Sequence, residues 1–189
     1  MNNEIEAKFA NINKDEMRAK LKAAGAEMQY PERLMRRKVF DTGPNTFARV
    51  RDEGGRIVMT YKNFIDGNSI MGVKEVNLIV NDYDDAVNFL LGCGLRLKSE
   101  EESYRELWLL DGTEVTIDTW PWLPTYTEIE GHSEEDVWAT AEKLGFKKED
   151  AIFGGVDDVY NFHYGVDQDI INSKTPLKSF AMDPPEWVK

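Results

Sequence analysis

Six residues near the amino terminus, Glu4, Ile5, Glu6, Ala7, Lys8 and Phe9, alternate charged with apolar side chains. A β-strand sends successive side chains to opposite faces, so Glu4, Glu6 and Lys8 share one face and Ile5, Ala7 and Phe9 the other. The pattern returns along the chain. Arg49 and Arg51 stand opposite Ala48 and Val50, Glu114, Thr116 and Asp118 opposite Val115 and Ile117, and Glu128 and Glu130 opposite Thr127 and Ile129. Strands of this kind admit two arrangements. An open antiparallel sheet turns its charged face to water, whereas a closed or nearly closed barrel gathers the charged faces into one lumen. Acidic pairs lie near the start and near residue 130, with Lys8, Arg49, Arg51, Lys62 and Arg105 on the strands between, and that ordered set favours the lumen.

The segments between these strands supply helices. Asn13, with Glu16 three residues on, marks a helix start; Met17, Leu21 and Ala24 form its apolar stripe and Gly25 ends it. Strands are expected over 34–41, 46–51, 56–62 and 73–80, with Asp52-Glu53-Gly54-Gly55 as a hairpin turn. Asp82 caps a helix through Leu91, closed by Gly92-Cys93-Gly94, where Cys93 is expected to pack against the helix end. Residues 95–98 open the second half, 99–102 read as a solvated turn, and Tyr104 to Leu110 is a strand. Strands over 114–120 and 125–130 flank the stiff Pro121-Trp122-Leu123-Pro124 corner, and Ser133 caps a helix to about Leu144. Short helices are expected over 156–164 and 167–171, and Pro176, Pro184 and Pro185 mark an irregular end. With no linker between the halves, the expected organisation is one domain over 1–172 and an irregular tail over 173–189. The fold class is α+β, an antiparallel closed or nearly closed β-tunnel barrel with peripheral helices.

Charge and composition narrow the chemistry. A net charge of −12 argues against a nucleic-acid or anionic-membrane partner, so a polyanionic substrate needs a local basic pocket. Cys93 is the only cysteine and His132 and His163 the only histidines, which excludes a disulfide framework, a thiolate cluster and a multi-histidine zinc site within one chain. The charged amino terminus has no apolar signal core and no run reaches the length of a membrane span, so a cytoplasmic location is expected. Carboxylates in a lumen are costly unless paired or metal-bound. Hard oxygen ligands without His or Cys suit Mg²⁺ or Mn²⁺. Arg and Lys donate to phosphate oxygens. Acid with metal on one side and base on the other is an arrangement suited to phosphoryl transfer.

These residues resemble the CYTH family, the triphosphate tunnel metalloenzymes, which include class IV adenylate cyclases, thiamine triphosphatases and inorganic triphosphatases. The resemblance rests on Glu4-Ile5-Glu6-Ala7-Lys8, Phe40-Asp41-Thr42, Arg49-Val50-Arg51, Thr60-Tyr61-Lys62, Ile117-Asp118-Thr119 and Glu128-Ile129-Glu130, in family order over about residues 2–165. It implies that Glu4, Glu6, Asp118, Glu128 and Glu130, with Glu75 from a mid-chain acidic pair, hold one or two divalent metals. It further implies that Lys8, Arg49, Arg51, Lys62 and Arg105, with Lys98 as an additional cation, clamp the triphosphate, and that Lys8, Arg51 and Lys62 act in catalysis. Asn77 stands where the family often has Glu. Arg36, Arg37 and Lys38 form a further basic run, of which only alternate members can face inward. Tyr61, Trp108, Trp120, Trp122 and Tyr126 can stack on a ring or pack in the core, and His163 reads as a packed or surface residue.

Two reactions fit the same clamp. Hydrolysis of an inorganic, nucleoside or organic triphosphate, tripolyphosphate, ATP or thiamine triphosphate, needs the fewest special groups and is the expected activity. Cyclisation of ATP to cyclic AMP and pyrophosphate is the alternative, and non-catalytic polyphosphate or nucleotide binding the second. By analogy with cyclase-like relatives, which are often dimers, the resemblance extends to a homodimer.

Overall fold

The computed structural model describes residues 1–188. Its strands are β1 (Asn2–Glu4), β2 (Glu6–Phe9), β3 (Glu27–Asp41), β4 (Thr46–Asp52), β5 (Ile57–Phe64), β6 (Val73–Val80), β7 (Arg96–Leu110), β8 (Thr113–Thr119), β9 (Tyr126–Glu130) and β10 (Leu177–Lys178). Its helices are α1 (Lys14–Ala24), α2 (Tyr83–Gly92), α3 (Glu134–Lys143), α4 (Val156–Tyr164) and α5 (Gln168–Lys174). The hydrogen-bonded order is β1-β6-β5-β4-β3-β7-β8-β9-β2, with every neighbouring pair antiparallel. Since β1 and β2 are consecutive in the chain, the two ends of this order meet at Ile5 and the sheet curls into a nearly closed barrel.

The alternating amino-terminal segment makes that closure. Its first half pairs with β6 and its second half with β9. At the switch the Ile5 carbonyl accepts from the Gly131 amide (3.0 Å), and the Glu6 amide donates to the Ile70 carbonyl (3.3 Å). The loop that presents Ile70 turns at Gly72, where a Cβ would fall 1.6 Å from the Asp66 carbonyl oxygen, so only glycine fits.

The apolar strand faces point outward, under helices. Phe9, Val115, Ile117 and Ile129 pack against Met17 and Leu21 of α1 and Val137 and Ala141 of α3. Phe40, Ala48 and Val50 pack under Ala86, Val87 and Leu90 of α2. Each fully buried side chain of this size stabilises the fold by about 1.5–3 kcal/mol. Helix starts follow their capping residues: Asn13 Oδ1 accepts from the Asp15 and Glu16 amides, Asp82 from Asp85 and Ser133 from Asp136.

Three stretches differ from the sequence expectation. β3 begins at Glu27 rather than near Leu34, pairing with β7 through register shifts. β7 runs unbroken through 99–102, with Ser99, Glu101 and Ser103 buried on the lumen side, so the expected turn is a strand wall. Its run of serines and glutamates has the composition of a solvated turn, and pairing with β3 makes it a strand. The expected irregular end carries β10, which pairs parallel with β7 at Glu100 and Glu101, beside the length where β8 has ended. Cys93, expected to pack, is exposed at the end of α2. The stiff Pro121–Pro124 corner is docked on α4: the Pro121 carbonyl accepts from Tyr160 Oη (2.8 Å) and the Trp122 carbonyl from Tyr164 Oη. No helix among the described residues is long and apolar enough to cross a membrane.

Candidate active site, a charge-segregated tunnel

The barrel encloses a cavity of about 710 Å³. Its lining divides by strand. β5, β4, β3 and β7, which are contiguous in the sheet, contribute Lys62, Arg49, Arg51, Arg37 and Arg105; β6, β1, β2 and β9 contribute Glu75, Glu4, Glu6, Glu128 and Glu130. Period-two alternation on each strand sets this division, because one register step would turn every charged side chain outward.

On the basic wall the β3–β4 register places Arg37 directly opposite Arg51. Like charges in that position repel. Arg37 Nη2 donates to Ser103 Oγ, the guanidinium lies 4.4 Å from the centre of the Trp120 ring, and Nε has no partner among the described residues. Arg49 Nη2 donates to Thr60 Oγ1 (3.3 Å), which donates on to Asn77 Oδ1 (2.7 Å), and Arg49 Nε likewise has no partner among the described residues. Burial first, then Arg51, pushes Arg37 down to about 10. Burial, then Arg51 and Arg37, holds Arg49 well below the ordinary guanidinium range. Arg51 is held by Glu53, whose Oε1 accepts from its Nε (2.8 Å) and whose Oε2 accepts from Arg56 Nε (2.6 Å). Burial opposes ionisation of Glu53, but Arg51 and Arg56 outweigh it and bring the carboxyl to about 2.

The acidic wall mirrors this. Glu6 and Glu130 are directly opposite across β2 and β9, and Glu130 is also opposite Glu114 across β8 and β9. Ligand oxygens of Glu4, Glu6 and Glu130 lie within 4.8 Å of one another. Burial, then Glu128 and Glu4, raises Glu6 well above the usual carboxylate range. Burial, then Glu4 and Glu128, raises Glu130 to about 7. Two lysines compensate part of this charge. Lys8 Nζ donates to Glu6 and to the Gly154 carbonyl (2.7 Å) and stands 3.4 Å from Glu128. Lys62 Nζ donates to Glu4 Oε2 (2.6 Å) and lies 3.6 Å from Glu75. Three convergent carboxylates form a hard-oxygen donor set, which fits a divalent cation of the Mg²⁺ or Mn²⁺ type.

The other sequence-nominated residues fall into different places. Asp118 is fully buried and stands apart from the Glu4–Glu6–Glu130 group. Its two oxygens accept from Arg105 Nε (2.7 Å) and Nη2 (2.9 Å), and Thr116 Oγ1 adds a third bond (2.5 Å). It therefore anchors Arg105, which also reaches Glu128 at 3.1 Å. Burial alone would raise Glu128, but Arg105 and Lys8 outweigh it and hold it ionised. Lys98 is exposed and lies on the cavity rim. Asn77, at the expected departure from the family pattern, donates to Glu75 and so joins the acidic wall to Thr60 and Arg49.

Arg37, Glu53 and Glu101 line the cavity without having been nominated as site residues from the sequence. The signal for Arg37 was the Arg36-Arg37-Lys38 run: its flanking members point outward, Arg36 to Asp52 (3.0 Å) and Lys38 toward Glu100 (3.6 Å). Trp120 and Tyr126 take lumen positions, whereas Trp108 is core, donating to Glu106 (2.7 Å). His163 packs beside Phe162 and Tyr164 on α4.

The sequence model of the CYTH domain matches residues 2–158. A comparison with proteins of curated function returns no match. Among solved structures, the PH1012 protein from Pyrococcus horikoshii aligns with a TM-score of 0.68 at 22% identity, covering 78% of this chain and 93% of that one. A candidate adenylate cyclase from Vibrio parahaemolyticus aligns with a TM-score of 0.70 at 14% identity, over 84% and 98%. A candidate adenylyl cyclase from Hippeastrum, described as having a dominant triphosphatase activity, aligns with a TM-score of 0.54 at 16% identity, over 86% and 96%. At these identities the likeness establishes the fold.

Proposed function

The chain belongs to the CYTH domain family, and from that premise we propose that it is a divalent-metal-dependent triphosphatase acting on a triphosphate held in the tunnel. The observation that carries this reading is the pair Arg37, buried, and Arg49, half-buried, whose buried Nε atoms have no partner among the described residues and which share the basic wall with Arg51. Buried donors in this state are matched by an anion with many oxygens.

Arg37, Arg49, Arg51 and Arg105 orient the chain of phosphates along the basic wall, and Lys62 sits at the seam with the acidic wall. Glu4, Glu6 and Glu130 would hold Mg²⁺ or Mn²⁺, which would neutralise phosphate charge and polarise a water. The arginines stabilise the charge that builds on the equatorial oxygens of the terminal phosphoryl group during in-line attack, by donors already fixed in place. Asp118 and Glu53 keep Arg105 and Arg51 from reorienting.

Cyclisation of ATP is the second reading. Phe47 and Phe64, 5.8 Å apart, line the cavity together with Val39 and Ile65 and offer an apolar place for a base. Incubation with tripolyphosphate and, separately, ATP, with Mg²⁺ or Mn²⁺ and product separation, tests both. Orthophosphate release from either substrate supports the hydrolase; cyclic AMP with pyrophosphate replaces it by the cyclase. Binding of both triphosphates without turnover refutes catalysis on them.

A further inference from the structure

The family match ends at residue 158, yet the chain beyond it reaches the tunnel wall. Lys178 on β10 is fully buried. Its Nζ donates to Glu101 Oε1 (2.9 Å), which also accepts from Ser99 Oγ (2.8 Å). Glu101 lines the cavity and stands directly opposite Arg37 across β7 and β3. Opposite charges so placed are within reach of each other and attract. Nevertheless, among the described residues Arg37 forms no ion pair, and its Nε stays unpartnered. Glu101 is satisfied from behind, by Lys178 and Ser99.

The tail is built to hold Lys178 there. The Glu100 amide donates to the Pro176 carbonyl (2.8 Å), and Ser179 Oγ donates to Glu102 Oε2 (2.6 Å). Trp187 Nε1 donates to Thr175 Oγ1 (2.9 Å), and its ring meets Tyr160 at 5.6 Å. A lysine with no exposure, fixed by a strand that has only two residues, points to a role at Glu101.

We propose that Lys178 is a positioning residue for the phosphate clamp: it occupies Glu101, so that Arg37 remains free to bind the substrate's phosphate oxygens. This rests on the triphosphate reading of the tunnel. Without Lys178, Glu101 would turn to the nearest cation, Arg37, and the basic wall would lose one of its free guanidiniums. Lys178 thus sets the affinity of a cavity whose lining it does not join.

A double-mutant cycle tests it, with calorimetric binding of inorganic tripolyphosphate in Mg²⁺ as readout, alongside KM and kcat on whichever triphosphate the wild type turns over. Lys178→Met is expected to weaken tripolyphosphate binding about tenfold or more and to lower kcat/KM by at least a similar factor. Lys178→Met combined with Glu101→Gln is expected to recover binding to near the wild-type level, because a neutral residue 101 has no charge with which to capture Arg37. A structural role for Lys178 predicts no such recovery. Wild-type binding in Lys178→Met, or a double variant as weak as the single one, overturns the proposal. If Lys178→Met does not fold, Glu101→Gln carries the test: it is expected to bind tripolyphosphate several-fold more tightly, and weaker binding overturns the proposal. A wild type that does not bind tripolyphosphate overturns the clamp itself, and this inference with it, whereas a wild type that binds but does not hydrolyse leaves only the hydrolase reading refuted.

Discussion

Replacing Arg49 by Met should move stability and binding in opposite directions. In the ligand-free protein the Arg49 guanidinium has one side-chain hydrogen bond, of 3.3 Å, an Nε without a partner, and two arginines among its electrostatic neighbours. An unsatisfied buried polar group costs about 1–3 kcal/mol. Met keeps an unbranched apolar stem and removes both the orphan donor and the repulsion from Arg51 and Arg37, so the ligand-free variant should gain about 1–3 kcal/mol. For a chain of this size each kcal/mol moves the unfolding midpoint by roughly 2–4 °C. The ligand side has the opposite sign. Loss of two charge-assisted phosphate contacts at about 1.5 kcal/mol each weakens tripolyphosphate about a hundredfold. At a ligand concentration of about 100 wild-type Kd the wild type gains about 2.7 kcal/mol, and such a variant only about 0.4 kcal/mol. Thermal unfolding with and without tripolyphosphate and Mg²⁺ reads both effects in one experiment. A lowered ligand-free midpoint with the ligand shift intact would refute the reasoning, since that is the behaviour of an arginine placed for structure.

Three further outcomes follow from the same walls. Glu53→Gln should destabilise the protein at neutral pH by up to about 3 kcal/mol, since the carboxyl sits near 2 rather than 4.5; the stabilisation is present above 4.5 and lost as pH falls toward 2, so acid-unfolding curves of wild type and variant should converge there. The metal-free wild type should grow more stable, by about 1 kcal/mol, as pH falls from 8 to 6, because Glu130 takes up a proton near 7 in the folded state but only near 4.5 in the unfolded chain. Glu130→Gln should flatten that slope, and an unchanged pH profile of the unfolding midpoint would count against the acidic wall. Glu6→Gln should reduce metal-dependent phosphate release by at least tenfold while far-UV circular dichroism stays that of the wild type; full activity would remove Glu6 from the metal group.

Much of the wall was legible because it is written in period two. Glu4, Glu6, Arg49, Arg51, Lys62, Glu128 and Glu130 each sit two residues from another polar lumen position, and every one of them lines the cavity. What could not be read was which charges neutralise each other, because pairing is a property of register between strands distant in sequence. Asp118 alternates with its neighbours as a ligand should, yet the β7–β8 register sets it against Arg105, which takes both of its oxygens. Arg37 was hidden in a run of three cations, and the β3–β4 register opposite Arg51 is what selects it. Glu101 and Lys178 were least legible: a polar Ser-Glu run and a proline-rich tail carry no local strand signal, and the first becomes strand by pairing with β3, the second by pairing with β7.

The separation of the walls also explains how a chain with a net charge of −12 can present a site for a polyanion. In most globular folds the apolar strand faces pack together and the charged ones meet solvent. Here helices cover the apolar faces from outside, and the charged faces are turned on each other across about 710 Å³. Lys8 and Lys62 bind carboxylates on the acidic wall and at its seam, so the acids are partly neutralised from within the protein. Among the described residues Arg37 and Arg49 form no ion pair, although Glu101 stands directly opposite Arg37. The excess negative charge of the chain is thus kept off the two groups that most need an anion, and the position of a single buried lysine decides whether Glu101 joins them.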